Sequence, residues 1–163
     1  MTPRIAVFYH GLFSHGTPRE LRPAAFNIIG EAMQVMEASG LTRAANEIHT
    51  CFNGAEEERQ YAEMLVHPKC QITMHGPNSF AENLTIVKLW EWCKTHTGWF
   101  VLYFHAKGCS HPEGSAYAKG VSEPWRRTML QYMVGNWQRC IIDLNNGADI
   151  VCCRWLWNMA DGS

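Results

Sequence analysis

Short apolar runs alternate with longer amphipathic segments along this chain, and the alternation restricts the possible folds more than any other feature. Apolar runs of this length are typical of strands, whereas an apolar residue at every third or fourth position is typical of helices. The sequence predicts strands at residues 5–9, 47–52, 70–74, 99–105 and 149–155. It predicts helices at residues 23–38, 56–66, 84–94 and 123–144. This order favours an α/β fold, with a mainly parallel, Rossmann-like sheet and helices on both faces.

The length and composition are those of one folded domain. With 163 residues the chain can bury one sizeable core, so we expect a single domain over residues 1–163. A hydrophobic content of 47% argues against extensive disorder. The net charge of −1 supplies no basic field for nucleic acid, so we expect no nucleic-acid partner.

The cysteines and the hydropathy pattern indicate a protein of a reducing compartment. Seven cysteines without a C-x-x-C pair do not make the framework of a secreted, disulfide-rich domain. The apolar part of the amino terminus is too short for a signal peptide, and no segment reaches the ~18 apolar residues of a membrane span. We therefore expect a cytoplasmic protein without a membrane span.

An uncharged strand leads directly into a polar turn in the second half of the chain. Residues 101–104 favour a strand covered on both faces, and His105, Lys107 and Gly108 follow it. Polar side chains at the carboxyl end of such a strand face the ligand crevice of an open α/β sheet. Lys107 could neutralise a phosphate, and His105 could donate a hydrogen bond, ligate a metal or transfer a proton. Gly108 would let a ligand approach the backbone closely.

Three other predicted strands also end in polar turns. These turns are His10-Gly11, Asn53-Gly54 and His75-Gly76. Because the carboxyl ends of parallel strands meet at one edge of a sheet, we expect all four turns to line that edge. The common dinucleotide, phosphate-loop and serine-hydrolase motifs are missing, which argues against those classes of enzyme.

Three motifs in the second half of the chain form a recognisable set. They are V-L-Y-F-H-A-K-G at residues 101–108, W-R-R at residues 125–127 and W-x-x-C-x-x-x-L-x-x-G at residues 137–147. The set resembles a family of bacterial and viral glycosyltransferase-like proteins, which carry a tyrosine-containing strand, an H-T-K-G turn, a W-R motif and a helix before a further strand. Similarity extends to residues 5–9, 33–41, 47–54 and 82–92.

The resemblance implies the nucleotide-sugar-binding half of an A-type glycosyltransferase fold. It implies a nucleoside-diphosphate sugar as donor and a glycan, protein or other molecule as acceptor. The catalytic candidates are His105, Lys107 and Glu82. The donor-binding candidates are His10, Gly11, Lys107, Gly108 and Arg126.

Each candidate has a role in that reaction. Lys107 would stabilise the negative charge of the leaving diphosphate, and His105 would donate a hydrogen bond to the same group. Arg126 would assist, because its planar fork matches phosphate oxygens and a helix amino terminus attracts anions. His10 would contact the nucleoside, and Glu82 would orient a ribose hydroxyl or act as a base.

The chain departs from the family pattern in three ways. Ala106 stands where the family has threonine between the histidine and the lysine. The H-A-K sequence follows the fourth strand where A-type folds usually carry an acidic D-x-D motif, which leaves the need for a divalent metal open. The sequence stops at Ser163, before the G-N-F-W-W-like segment of the family, so we expect a shortened enzyme.

Two alternatives stay open from the sequence. A chain with the sheet but without the acceptor-binding segment could be a non-catalytic module for nucleotide-sugar binding or protein interaction. In the other alternative His105, Cys109 and His111 ligate zinc, because imidazole and thiolate are suitable ligands.

Overall fold

The computed structural model describes residues 3–15, 20–21, 23–77, 81–107, 109, 116 and 118–153. The strands in this part of the chain are β1 (Ile5–Leu12), β2 (Ser14–His15), β3 (Glu20–Leu21), β4 (Glu47–Asn53), β5 (Cys70–Met74) and β6 (Phe100–His105). The helices are α1 (Pro23–Ala38), α2 (Leu41–Ala44), α3 (Arg59–Leu65), α4 (Ala81–Cys93), α5 (Glu123–Met129) and α6 (Trp137–Asn145). None of these helices has the length and apolar character needed to cross a membrane.

The main sheet is parallel throughout and has the strand order β5-β4-β1-β6. The chain therefore builds the sheet outward from β1 through β4 to β5, and then crosses to the other side of β1 to add β6. The register sets Tyr9 beside Phe104 and His10 beside His105. This reversal is a topological switch point, outside which open α/β sheets bind their ligands. The predicted α/β fold with a Rossmann-like parallel sheet is confirmed.

One face of the sheet carries the hydrophobic core. Successive strand residues point to opposite faces, so Tyr9 and Phe52 share the face toward α1, and both are fully buried. Helix α1 adds Ile29 and Met36 to this core, as its predicted apolar stripe requires. Each such side chain contributes about 1.5–3 kcal/mol when it is fully buried.

The other face of the sheet is polar, and α4 packs against it. Its strands contribute side chains that can titrate or form hydrogen bonds, namely His10, His49, Cys51, Thr73, Tyr103 and His105. Helix α4 meets them with Glu82, Thr85, Lys88 and Trp92. The apolar residues on the outer side of α4, including Trp90 at 63% exposure, face solvent. The polarity of α4 is thus the reverse of that of an ordinary sheet-covering helix.

The carboxyl-terminal helix is broken, contrary to the single helix predicted over residues 123–144. A π-helical segment, Leu130–Gly135, separates α5 from α6. The wider π turn changes the phase of the helix, because each residue advances by a smaller angle than in an α-helix. Leu130 and Val134 are therefore buried, while Tyr132 is 57% exposed.

The prediction of a strand at residues 149–155 is wrong for the residues of this range that the structure describes. Residues 149–153 form no strand, and residues 154–155 lie outside the described residues. Helix α6 is followed by Gly147, whose φ of 100° redirects the chain, and residues 149–151 then line a cleft beside β6. β6 is therefore the outer strand of the described sheet. The prediction that both its faces are covered holds only for Phe104, the one residue of β6 that is fully buried.

The run of three glutamates at residues 56–58 also differs from the solvated face that its composition predicts. Glu58 is only 3% exposed. Its Oε2 accepts hydrogen bonds from the Ser14 hydroxyl at 2.6 Å and from the Ala55 amide at 2.7 Å. A Cβ on Gly54 would lie 2.7 Å from the same oxygen, so glycine leaves the space that this buried carboxylate occupies.

Gly11 lies inside β1, where the core requires the absence of a side chain. A Cβ at this position would lie 2.6 Å from Cδ1 and 2.7 Å from Cε1 of Phe52. Because the Phe52 ring belongs to the packed interior, neither the ring nor an added Cβ on Gly11 could move away without distorting the sheet.

We expect Gly11→Ala to lower the free energy of unfolding by about 1–3 kcal/mol, because it overpacks the core against Phe52. The control is Gly30→Ala in α1, where an added Cβ meets nothing within 4 Å. That change should raise the free energy of unfolding by ~0.5–1 kcal/mol, since alanine favours a helix over glycine. Urea unfolding measures both, and equal midpoints for the two variants would contradict the packing argument.

Candidate functional site

The switch point between β1 and β6 holds a cluster of ionisable side chains. His105 ends β6 and is the register partner of His10, which lies two residues before the end of β1, and α4 places Glu82 next to both. Nδ1 of His105 lies 2.6 Å from Oε1 of Glu82. The Tyr103 hydroxyl donates to the same oxygen at 3.0 Å. One carboxylate oxygen thus joins two β6 side chains to α4.

The other predicted turns lie along the same edge of the sheet. The amide of Gly54 donates to the carbonyl of Gly76 at 3.2 Å, so the turns after β4 and β5 meet. The amide of Ala106, in the turn after β6, donates to the carbonyl of His10 at 2.7 Å and joins that turn to the carboxyl-terminal part of β1. Three of the four predicted turns line one edge of the sheet, and the turn predicted at His10-Gly11 is wrong, because β1 continues through these residues to Leu12.

Thr85 links two histidines of this edge. Its Oγ1 lies 2.9 Å from Nδ1 of His10 and 3.0 Å from Nε2 of His75. A hydroxyl has one hydrogen, so it donates to at most one of these rings, and the other ring must donate to it. Since Thr85 is fully buried, the two contacts fix both ring orientations.

The surroundings of Glu82 favour its ionised form. The hydrogen bond with His105 is the main cause that lowers the pKa of Glu82 to about 2, against the opposing effect of burial. The Tyr103 hydroxyl and nearby His10 also lower it. Burial and the Glu82 carboxylate raise the pKa of Tyr103, so its hydroxyl stays a neutral donor.

The two histidines bound to Thr85 are held neutral at pH 7. Burial lowers the pKa of His10 to about 4, although the charge of Glu82 acts in the opposite direction. Burial, together with the charge of Lys88, lowers the pKa of His75. The cluster therefore presents an anionic carboxylate beside neutral imidazoles.

This arrangement is suited to moving a proton. A carboxylate that binds one ring nitrogen of histidine orients the ring and stabilises the imidazolium that forms when the other nitrogen takes a proton. Glu82 occupies Nδ1 of His105, which leaves Nε2 as the nitrogen for a substrate proton. The side chains of His105 and Glu82 are 26% and 46% exposed, so a ligand can reach them.

Lys107 lies at the same edge, but its ammonium contacts an aromatic ring. Its Nζ is 4.0 Å from the centroid of the Trp125 ring, within the range of a cation–π interaction. Gly108, the next candidate residue, lies outside the described residues.

Arg126 connects the edge to the core. It is 8% exposed; its Nε donates to Oε2 of Glu31 in α1 at 2.8 Å, and its Nη1 donates to the carbonyl of Lys107 at 3.2 Å. The guanidinium thus holds α5, α1 and the turn after β6 together. The fork that the sequence assigns to phosphate binding has protein partners in this structure.

The remaining candidates have a structural explanation or lie outside the described part. Gly11 is explained by its packing against Phe52. Cys109 is 1% exposed, and burial raises the pKa of its thiol to about 12, which opposes the thiolate that zinc requires. His111 lies outside the described residues. Among the residues that the structure describes, no group of three histidine, cysteine or acidic side chains is placed to hold a metal ion.

Sequence reasoning missed the roles of Thr85 and Tyr103. Both could have been found from periodicity. Tyr103 precedes His105 by two residues, so the two share a face of β6. Thr85 follows Glu82 by three residues, so the two share a face of α4.

A separate cleft of about 510 Å³ lies near the other end of β6. Its lining includes Phe100, Leu102, Trp137 and Ile141, and Asp149 is the one acidic or basic residue among the lining residues. It contains none of the ionisable residues of the switch point. The ionisable candidate residues therefore lie at the sheet edge and not in this cleft.

Comparison with known families assigns the chain to one of them. The family model described as "Domain of unknown function (DUF8361)" matches residues 8–156. Neither a curated protein nor a solved structure matches the chain. The matched range includes every residue of the switch-point cluster.

We expect His105→Phe to raise the pKa of Glu82 by about one unit or more, because it removes the strongest hydrogen bond to the carboxylate. Tyr103→Phe removes the weaker bond and should raise it less. Carboxyl-carbon NMR titration of Glu82 measures both values. A larger increase in Tyr103→Phe than in His105→Phe would contradict this account of the site.

We expect Arg126→Ala to lower the free energy of unfolding by about 1–3 kcal/mol, because it leaves Glu31 and the Lys107 carbonyl without their buried donor. Arg127 is the matched control, since it also binds Glu31, at 3.3 Å, but its side chain is 64% exposed. Arg127→Ala should cost ~0–1 kcal/mol. Equal losses in urea unfolding would show that Arg126 has no special structural role.

Proposed function

The chain belongs to the DUF8361 family, and we propose that it is a glycosyltransferase that uses a nucleoside-diphosphate sugar at the switch point between β1 and β6. The observation that carries the proposal is the 2.6 Å contact between Glu82 and His105 at this point. It provides an oriented proton acceptor where a parallel sheet binds its ligands. The resemblance of residues 101–108 to glycosyltransferase-like proteins supplies the class of reaction.

In the proposed reaction an acceptor hydroxyl attacks the anomeric carbon of the donor sugar. The new carbon–oxygen bond forms as the bond to the diphosphate breaks. The hydroxyl proton passes to Nε2 of His105, and Glu82 stabilises the resulting imidazolium. The nucleoside diphosphate leaves with the bonding electrons, so negative charge develops on it and must be stabilised.

Lys107 is the proposed cation for the leaving group. To reach the diphosphate, its ammonium gives up the contact with Trp125, which is worth about 0.5–1 kcal/mol at an exposed position. A hydrogen bond between charged groups returns about 1.5–3 kcal/mol, so the exchange is favourable. Since H-A-K stands in place of an acidic metal motif, Lys107 takes the part that a divalent metal has in many such folds.

The cellular setting is also part of the proposal. All seven cysteines are free thiols, which suits a reducing compartment. We therefore place the reaction in the cytoplasm, carried out by residues 1–163 as one nucleotide-sugar-binding domain.

One observation favours a second function, donor binding without transfer. Both candidate phosphate ligands already have protein partners, since Arg126 binds Glu31 and Lys107 contacts Trp125. A module that holds the donor loosely, or that binds another protein, needs no leaving-group cation. Donor affinity with neither transfer nor hydrolysis would select this alternative.

A thermal-shift screen tests the proposed donor class. Millimolar uridine, guanosine, thymidine, cytidine or adenosine diphosphate sugars should include one that raises the melting temperature, because a ligand of the native state stabilises it. The screen is run with Mg²⁺, with Mn²⁺ and with EDTA, which also measures any need for a metal. No shift with any donor under any of these conditions would refute both the transferase and the donor-binding module.

Lys107→Ala should weaken donor affinity about 10- to 100-fold, the equivalent of one lost charged hydrogen bond. Lys107→Arg should recover only part of the loss, since the guanidinium is wider than the ammonium. Lys119→Ala is the control, because Lys119 is an exposed lysine of a neighbouring helical segment. Calorimetry at matched ionic strength gives the affinities, and equal values for Lys107→Ala and wild type would remove Lys107 from the mechanism.

A further inference from the structure

Each strand of the main sheet places one histidine beneath α4. The four are His10 of β1, His49 of β4, His75 directly after β5, and His105 of β6. Two of them bind the hydroxyl of Thr85, and a third binds Glu82. The fourth, His49, packs edge-on against Trp92, with ring centroids 6.1 Å apart. Every one of these histidines therefore contacts α4.

Helix α4 has little apolar surface with which to hold itself to the sheet. Four of its apolar residues, Leu84, Ile86, Val87 and Trp90, are 40–63% exposed, and Leu89 and Trp92 are partly buried. On the side facing the sheet, Trp92 packs edge-on against Phe8, and the other contacts are mainly polar, including the hydrogen bond from Lys88 to Thr73 at 2.6 Å. Docking of α4 thus depends on hydrogen bonds, several of which depend on the protonation state of an imidazole.

His49 shows why a proton beneath α4 is costly. It is 4% exposed, stacks on Phe8 at 4.3 Å, and has Nε2 3.0 Å from Oε2 of Glu47. Its Nδ1 has no hydrogen-bond partner among the described residues. The neutral ring leaves a bare acceptor there, whereas the protonated ring would bury a charged N–H group without an acceptor.

The other charged and titratable groups that face these histidines do not carry enough negative charge to neutralise several added protons. They are Glu47 and Cys51 of β4, Tyr103 of β6, Glu82 and Lys88 of α4, and His96 after α4. While the histidines are neutral, the two carboxylates and Lys88 leave a net charge of −1, which offsets one added proton. Each further proton adds positive charge to the narrow space between α4 and the sheet, where charges repel strongly.

We propose that α4 is an acid-sensitive latch, which loosens from the sheet when His10, His49 and His75 beneath it are protonated, while the α1 side of the sheet stays packed. Loosening moves Glu82 away from His105 and so opens the switch-point cluster. Loosening of α4 would also stop the proposed reaction, and only this loss of activity rests on the proposed function. The proposed movement of α4 itself is inferred from the contacts between α4 and the sheet.

The direction of the pH dependence follows from the titration of the same groups. Burial lowers the pKa of His10 to about 4 from the usual 6.5, and it lowers the pKa of His49 and His75 as well. An undocked chain therefore takes up protons that the docked chain excludes, so docking is stable at neutral pH and weakens as the pH falls below about 6.5. The lowered pKa values of Glu47 and Glu82 act in the same direction below pH 4.5.

Two buried cysteines report the movement directly. Cys51 is buried beneath α4 and forms a hydrogen bond with Thr85, whereas Cys109 is buried on the core side, close to Tyr9 and Arg126. A pyridyl disulfide modifies thiols even at acid pH, and peptide mass spectrometry gives the rate at each cysteine. Between pH 7.5 and pH 4.5 the rate at Cys51 relative to Cys109 should rise about tenfold or more, because local opening exposes one thiol and not the other.

His49→Phe is the test variant, because it keeps the stack on Phe8 and cannot take up a proton. It should shift the rise in Cys51 modification to lower pH by about half a unit or more. His67→Gln is the control, since His67 is an exposed histidine that does not contact α4, and it should leave the profile unchanged. His75→Gln replaces His49→Phe if that variant does not fold.

Three outcomes would overturn the latch. They are no rise in the Cys51 rate on acidification, an equal rise at Cys51 and Cys109, and an equal profile for the test variant and wild type. The labelling uses neither donor nor acceptor. Failure of the latch and failure of the proposed glycosyltransferase are therefore distinguishable.

Discussion

The register between β1 and β6 is the constraint on which the rest of the structure depends. Tyr9 and Phe104 are register partners whose rings pack at 4.9 Å in the core, and this places the next pair, His10 and His105, on the opposite face beneath α4. A slip of β6 by one residue would move His105 into the core and Phe104 under the helix. The apolar core thus holds the histidines in place, although it contains none of them.

The parallel sheet could be predicted because its signal is local and repeated. Strands such as β1 and β6 show continuous apolar runs, and α1 shows its stripe within its own sequence. The π-helical segment Leu130–Gly135 could not be predicted, since a one-residue change of phase follows from packing against α1 and not from composition. The burial of Glu58 could not be predicted either, because its partner Ser14 lies 44 residues away in the sequence.

The position of the candidate site could be predicted from the sequence, but the hydrogen bonds that connect its side chains could not. His10 and His105 lie in the carboxyl-terminal parts of parallel neighbouring strands, so the topology alone brings them to one edge. Their connections through Thr85 and Glu82 span 75 and 23 residues, and no spacing rule relates residues so far apart. The contacts of the two candidate phosphate ligands could not be predicted either. Lys107 and Arg126 have the chemistry of phosphate ligands, but their present partners are set by where α1 and α5 pack.

Arg126 also makes the turn after β6 depend on a helix that contains none of the candidate residues. The guanidinium joins the Lys107 carbonyl to Glu31, and the Glu31 side chain is 30% exposed on α1. A surface substitution in α1 can therefore alter the conformation of the turn without replacing any of its residues. An identical H-x-K segment therefore does not by itself guarantee an identical turn, because the support of the turn also depends on Glu31.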